Sequence, residues 1–143
     1  MRWENIKSFF GFDRTPIRDK VVEIVPRPLS DREASWIRRI AEVNPDWREA
    51  NFSKTMVVAE GPNSEGFSIV LQAPEPESPR LRSRQSMVGQ LWIQTDDPLT
   101  INVQLSHFNG NLKEIYILCI DSRGRDQTLP EHLNEVSWEA VNC

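Results

Sequence analysis

What most constrains this chain is a change of hydrophobic period. Beyond a loop or turn of helix at residues 47–52, apolar and polar residues alternate in five successive runs, 55–60, 66–73, 87–95, 99–108 and 111–121. That pattern is the signature of strands with one buried face. The connections between the runs are short, so neighbouring strands must run antiparallel. Phe108-Asn109-Gly110-Asn111 is the strongest turn signal, because a two-residue type I′ turn needs positive φ at both central residues.

With Asn109-Gly110 as the turn, Phe108 faces Asn111, His107 faces Leu112, Leu105 faces Glu114, Val103 faces Tyr116 and Ile101 faces Leu118. A three-residue loop at Asp96-Asp97-Pro98 pairs Ile93 with Ile101 and Leu91 with Val103, extending the same apolar face. A five-residue loop at 61–65 pairs Ala59 with Phe67, Val57 with Ile69 and Thr55 with Leu71. Between the hairpins, three prolines and mixed charges in 74–80 interrupt any strand, so 74–87 reads as a mobile loop.

One helix stands out before the strands. Ser30 and Glu33 have capping-box spacing, and Leu29 and Ala34 can staple the entry. Trp36, Ile37, Ile40, Ala41 and Val43 form an amphipathic stripe, Arg32, Arg38, Arg39 and Glu42 take the solvent side, and Asn44-Pro45 ends the helix. Upstream, Trp3, Ile6 and Phe10 lie on one face of a short helix ending at Gly11, and 20–25 reads as an edge strand or extended linker stopped by Pro26 and Pro28. The expectation is an α+β fold: one main amphipathic helix packed on a mostly antiparallel, largely meander sheet of about five strands, with a short N-terminal helix. It is a single domain over 1–143, with 1–26 as an N-terminal extension.

Composition narrows the function. A formal charge of −4 disfavours nucleic acid, and the one basic cluster, Arg80, Arg82 and Arg84, sits in the proline-rich loop. No run has the length of a membrane span and the first residues lack a secretory h-region. Cys119 and Cys143 make no disulfide framework, so a reducing cytoplasmic setting is expected. His107 and His132 have no ligand-spaced partners, and neither a phosphate loop nor a nucleophile elbow is present. Asp96-Asp97 is a turn pair. No metal or cofactor is expected, and no motif marks a catalytic residue.

Two surfaces remain as candidates. In the expected register Glu114, His107 and Tyr116 converge near one sheet end, as a small-ligand or acid–base site or, more simply, as a polar pair closing the core. On the other face Trp92 and Ile117 lie beside Asn102, with Gln90, Gln104 and Ile115 in the next row. This amide-framed apolar spot is covered either by the N-terminal helix, the favoured reading, or by a protein partner or second copy.

Arg27-Pro28-Leu29-Ser30, Gly110-Asn111-Leu112-Lys113-Glu114-Ile115-Tyr116 and Leu129-Pro130-Glu131-His132-Leu133 together resemble a family of small uncharacterised bacterial proteins, over residues 27–138. The resemblance implies a helix followed by an antiparallel sheet in a bacterial cytoplasmic protein, with no activity to transfer. Size and acidity are also those of immunity proteins that neutralise bacterial toxins. The leading expectation is a non-catalytic protein-binding module, possibly of the immunity type. Its rivals are a small-ligand binder or enzyme at the sheet end, and a structural homodimer subunit.

Overall fold

In the computed structural model, which describes residues 20–79, 86–96 and 98–142, the Asn109-Gly110 turn forms as its sequence demands, with φ of 51° and 85°. It joins β5 (Leu99–Phe108) to β6 (Asn111–Asp121), and Phe108 pairs with Asn111 and His107 with Leu112. Then the register shifts. Ser106 pairs with Glu114, which leaves Lys113 as the extra residue of a bulge, and the ladder continues as Leu105–Ile115, Val103–Ile117 and Ile101–Cys119. The expected pairs of Leu105 with Glu114, Val103 with Tyr116 and Ile101 with Leu118 are therefore replaced. One inserted residue turns the strand over. Ile115, Ile117 and Cys119 enter the core, at 0%, 2% and 4% exposure, while Glu114 and Tyr116 go to the opposite face.

The hairpin of β4 (Met87–Thr95) with β5 has the expected register, Ile93 with Ile101 and Leu91 with Val103. That of β2 (Met56–Asn63) with β3 (Gly66–Gln72) does not. Its turn is tight, at Ser64-Glu65 with Ser64 at φ 57°, so Pro62 pairs with Phe67 and Glu60 with Ile69. A bulge between Val57 and Ala59 brings Val57 opposite Leu71.

Two further strands complete the sheet. β1 (Val22–Pro28) pairs with β2, and β7 (Glu135–Asn142) pairs with β4, giving seven antiparallel strands in the order β1-β2-β3-β6-β5-β4-β7. The only helix among the described residues is α1 (Asp31–Glu42), of 12 residues. The fold is thus mostly β, which corrects the expected α+β class with about five strands. β7 escapes a pattern search because its face is not buried: as the outermost strand it leaves Val136, Trp138 and Val141 exposed, and only pairing with β4 makes it a strand.

α1 lies on one face of the sheet. Its buried stripe of Trp36, Ile37, Ile40 and Ala41, with Trp47 beyond it, packs on Leu91, Ile93, Ile101, Val103, Leu105, Ile115 and Ile117. Full burial of each large apolar group stabilises by about 1.5–3 kcal/mol. The capping box is present: Ser30 Oγ accepts from Glu33 N at 3.1 Å, and Ser30 N donates to Glu33 Oε1 at 2.8 Å. At the other end Asn44 Nδ2 donates to Val88 O at 2.8 Å, anchoring the helix exit to β4.

The start of the proline-rich loop is anchored by side chains. Glu77 is buried and accepts from Thr55 Oγ1 at 2.6 Å and Leu112 N at 3.0 Å, while Ser78 N donates to Gly110 O. The expected helix of Trp3, Ile6 and Phe10, the trio Arg80, Arg82 and Arg84, and Cys143 lie outside the described residues.

Candidate functional site

Between the helix N-terminus, the β2–β3 hairpin and the segment after β6 opens a cleft of about 760 Å³. Each wall has a local cause. Helical spacing stacks Arg32 and Glu33 one turn above Trp36, so all three line the cleft. The β6 bulge turns Ile117 and Cys119 to the same side. The third wall is held by Asp121, whose carboxylate accepts from Arg123 N at 2.8 Å, Arg125 N at 3.0 Å and Gln127 Nε2 at 3.0 Å. The Arg125 backbone N–H is the main reason that the Asp121 carboxyl lies below its usual range. Arg32 Nη1 then donates to Pro130 O at 3.1 Å and Glu131 O at 3.2 Å, tying the next residues to the helix.

The cleft has an apolar floor of Trp36, Phe67, Ile69, Ile117, Cys119 and Leu129. Its rim is charged. Arg27 Nη1 and Nη2 reach Glu33 Oε1 and Oε2, both at 2.9 Å, and Nη2 also reaches Glu60 Oε2 at 3.0 Å. Burial pushes the Glu33 carboxyl up, but the Arg27 bonds and the Ser30 cap outweigh it and hold Glu33 below its ordinary value. The same bonds to Glu33 raise Arg27. Arg32 lies over the Trp36 ring, 5.2 Å from its centroid. Both guanidinium groups are therefore engaged within the protein.

Four carboxylates, Glu33, Glu60, Glu65 and Asp126, line the cleft against those two guanidiniums. Among the described residues Glu65 and Asp126 have no ion-pair partner. Their field reaches Tyr116, whose phenol is raised first by burial and then by Glu65, Glu114 and Asp126. The capping box fills the helix N-terminus with Glu33, which leaves no anion site there. Trp36 is 1% exposed and its Nε1–H has no hydrogen-bond partner among the described residues. Burial raises the Cys119 thiol, which keeps it neutral and unactivated. Among the described residues no group of three or more His, Cys, Asp or Glu is placed to hold a metal ion, and no helix is long and apolar enough to cross a membrane.

The residues expected to converge at a sheet end are divided by the bulge. His107 is buried on the helix side against Trp47, ring centroids 5.1 Å apart, and its Nδ1 accepts from Gly110 N at 3.4 Å. Glu114 and Tyr116 lie on the opposite face, where Glu114 accepts from Ser68 Oγ and Tyr116 Oη donates to Asn63 O at 3.3 Å.

Of the amide-framed face, Trp92, Gln90 and Gln104 are where the turn at 96–98 puts them: Gln104 Nε2 donates to Asn102 Oδ1 at 2.8 Å, Asn102 Nδ2 donates to Gln90 Oε1 at 3.1 Å, and Trp92 stands 43% exposed. Ile115 and Ile117 are not on that face but in the core. Tyr116 and Leu118 take their places beside Gln104 and Asn102.

Sequence reasoning missed the cleft. Glu33 was legible only as a cap, Arg27 only as part of the segment that opens the helix, Glu60 as the end of a strand run, and the 122–129 segment carries no periodic signal. Compared with known families, curated proteins and solved structures, the chain matches none. The resemblance carried by residues 27–30, 110–116 and 129–133 therefore rests on those residues alone.

Proposed function

We propose that the protein is a non-catalytic protein-binding module and that the cleft receives a basic segment of its partner, with an apolar stem on the floor and a cationic end at Glu65 and Asp126. The observation that carries this reading is the composition of the cleft: an apolar floor under four carboxylates, with both nearby guanidinium groups already bound within the chain. A lysine or arginine side chain has that two-part chemistry, because its alkyl stem buries while its head stays polar. The net charge of −4 favours approach by a basic partner. An immunity-type protein that caps a basic toxin in a bacterial cytoplasm is the form of module that size and acidity suggest, and the free thiol of Cys119 fits a reducing compartment.

A second reading, a free amphipathic amine as ligand, is favoured by the volume of about 760 Å³, which lies in the range of small-molecule sites. Both can be tested on isotope-labelled protein by titrating hexylamine, hexanol and hexanoate, then a leucine-flanked lysine peptide and its lysine-acetylated twin. The amine should shift the backbone amides of Trp36, Phe67, Ile117 and Cys119, and hexanoate should not. A peptide at least tenfold tighter than hexylamine, weakened by acetylation, supports a protein-borne segment. Equal affinity supports the free amine. Preference for hexanoate, or shifts mapping elsewhere, overturns both.

A further inference from the structure

One polar group of the cleft is left over. Trp36 is 1% exposed and lines the cleft, and its indole Nε1–H finds no acceptor among the described residues. A buried donor without a partner destabilises the state that holds it, and native structures carry few such groups. The neighbouring charged side chains on the helix are satisfied: Glu33 by Arg27 and by Ser30 N, and Arg32 by the carbonyls of Pro130 and Glu131. Trp36 alone keeps a donor in reserve.

Its cover is lightly held. A second hollow, of about 370 Å³, shares Arg32 and Trp36 with the cleft and is lined beyond them by Glu131, His132 and Leu133. Leu129 lines the cleft itself, so residues 128–133 form a strap that runs between the two hollows along Arg32 and Trp36. Main-chain bonds fix the strap at its ends, Gln127 N to Cys119 O at 2.8 Å and Asp96 N to Asn134 O at 3.1 Å. Among the described residues no main-chain group of 128–133 bonds another main-chain group, and the middle is tied by the Arg32 side chain. A segment with so few backbone bonds opens locally at small cost.

We infer that the basic residue received in the cleft also presents a main-chain carbonyl to Trp36 Nε1–H, the strap yielding to admit it. This rests on the reading of the cleft given above and narrows it to a lysine or arginine inside a peptide chain. An ammonium group is a donor only and cannot satisfy an indole N–H, so the cationic end goes to Glu65 and Asp126 and a different group must meet Trp36. A carboxylate would accept, but the four carboxylates that line the cleft repel it. A peptide carbonyl is the neutral acceptor that accompanies every basic side chain. In an extended lysine it lies about 8 Å from the ammonium nitrogen, a span that a cleft of about 760 Å³ accommodates.

The Trp36 indole resonance of isotope-labelled full chain reads the contact directly. Titration with Nα-acetyl-lysine methylamide, which has both the cation and the carbonyls, should move the indole proton downfield, whereas hexylamine should shift the cleft amides and leave that proton in place. The amide should bind about three- to tenfold tighter than hexylamine, the usual effect of one hydrogen bond. In Trp36→Phe the two probes should bind equally, because the ratio cancels any loss of packing common to both. If that variant does not fold, the wild-type indole shift decides. Binding of both probes at the cleft with no movement of the indole proton, or a preference for the amide that survives Trp36→Phe, overturns the inference and leaves the cleft reading standing. An indole proton already at a hydrogen-bonded position in the free protein overturns it as well. Failure of both cations to bind overturns the cleft reading and the carbonyl contact together.

Discussion

Replacing Glu33 by Ala or by Gln separates its roles as helix cap and as counter-ion. Its side chain is only 8% exposed and accepts from Arg27 Nη1 and Nη2 at 2.9 Å and from Ser30 N at 2.8 Å. Alanine removes all three acceptor contacts and leaves Arg27 with the Glu60 carboxylate and the Pro28 carbonyl. A hydrogen bond to a charged group contributes about 1.5–3 kcal/mol. Because a third of the Arg27 side chain meets solvent, solvent screening brings the expected loss for Glu33→Ala to about 2–3 kcal/mol in total. For a chain of this size that lowers Tm by about 5–10 °C.

Glutamine keeps one carbonyl acceptor, so Glu33→Gln should lose about 1 kcal/mol less than alanine. The pH dependence distinguishes charge from packing. Glu33 is depressed below the ordinary glutamate value of 4.5. Its stabilisation is therefore fully present above that value and lost as pH falls through the folded pKa. Denaturation followed by tryptophan fluorescence should show a gap between wild type and Glu33→Gln that is constant near neutrality and closes in acid. A gap that persists below the folded pKa, or equal losses for Gln and Ala, would refute the assignment of Glu33 as a charged partner of Arg27.

Three further outcomes follow from single contacts. Ser30→Ala should lower stability by about 1 kcal/mol, read from the denaturation midpoint, through loss of the cap to Glu33 N. Gly110→Ala should cost about 2 kcal/mol or more and disturb the loop at Ser78: the glycine has φ of 85°, and a Cβ there would sit 2.3 Å from Ser78 O. In a Cys143→Ser background, Cys119 should react with a thiol reagent orders of magnitude more slowly than a free thiol, because it is 4% exposed and its pKa is raised by burial. Rapid labelling of the native protein would mean that the cleft opens to its floor.

Local chemistry alone determined the helix and one turn. Ser30 with Glu33 is a cap in any context, because both partners lie within one turn of chain, and Asn109-Gly110 is a hairpin turn because few other residues tolerate two positive φ angles. The Leu91–Val103 and Ile93–Ile101 pairs were legible for a related reason: alternation left one register with a fully apolar face.

Where that argument failed, two registers were nearly equal locally. Counting back from Asn109-Gly110 without a bulge buries Glu114 and Tyr116; inserting Lys113 as an extra residue buries Ile115 and Ile117 instead. The helix stripe of Trp36, Ile37 and Ile40 and the neighbouring strands decide between them, because the burial gained exceeds the one lost ladder position. β7 was invisible because an exposed edge strand needs no apolar period. The cleft was invisible because Arg27, Glu33, Glu60, Ile117 and Cys119 span more than ninety positions of chain and are neighbours only once the sheet order and the β6 bulge are set. Period and turn chemistry act over a few residues and are readable in one dimension, whereas a binding surface is made of side chains that only long-range strand pairing brings together.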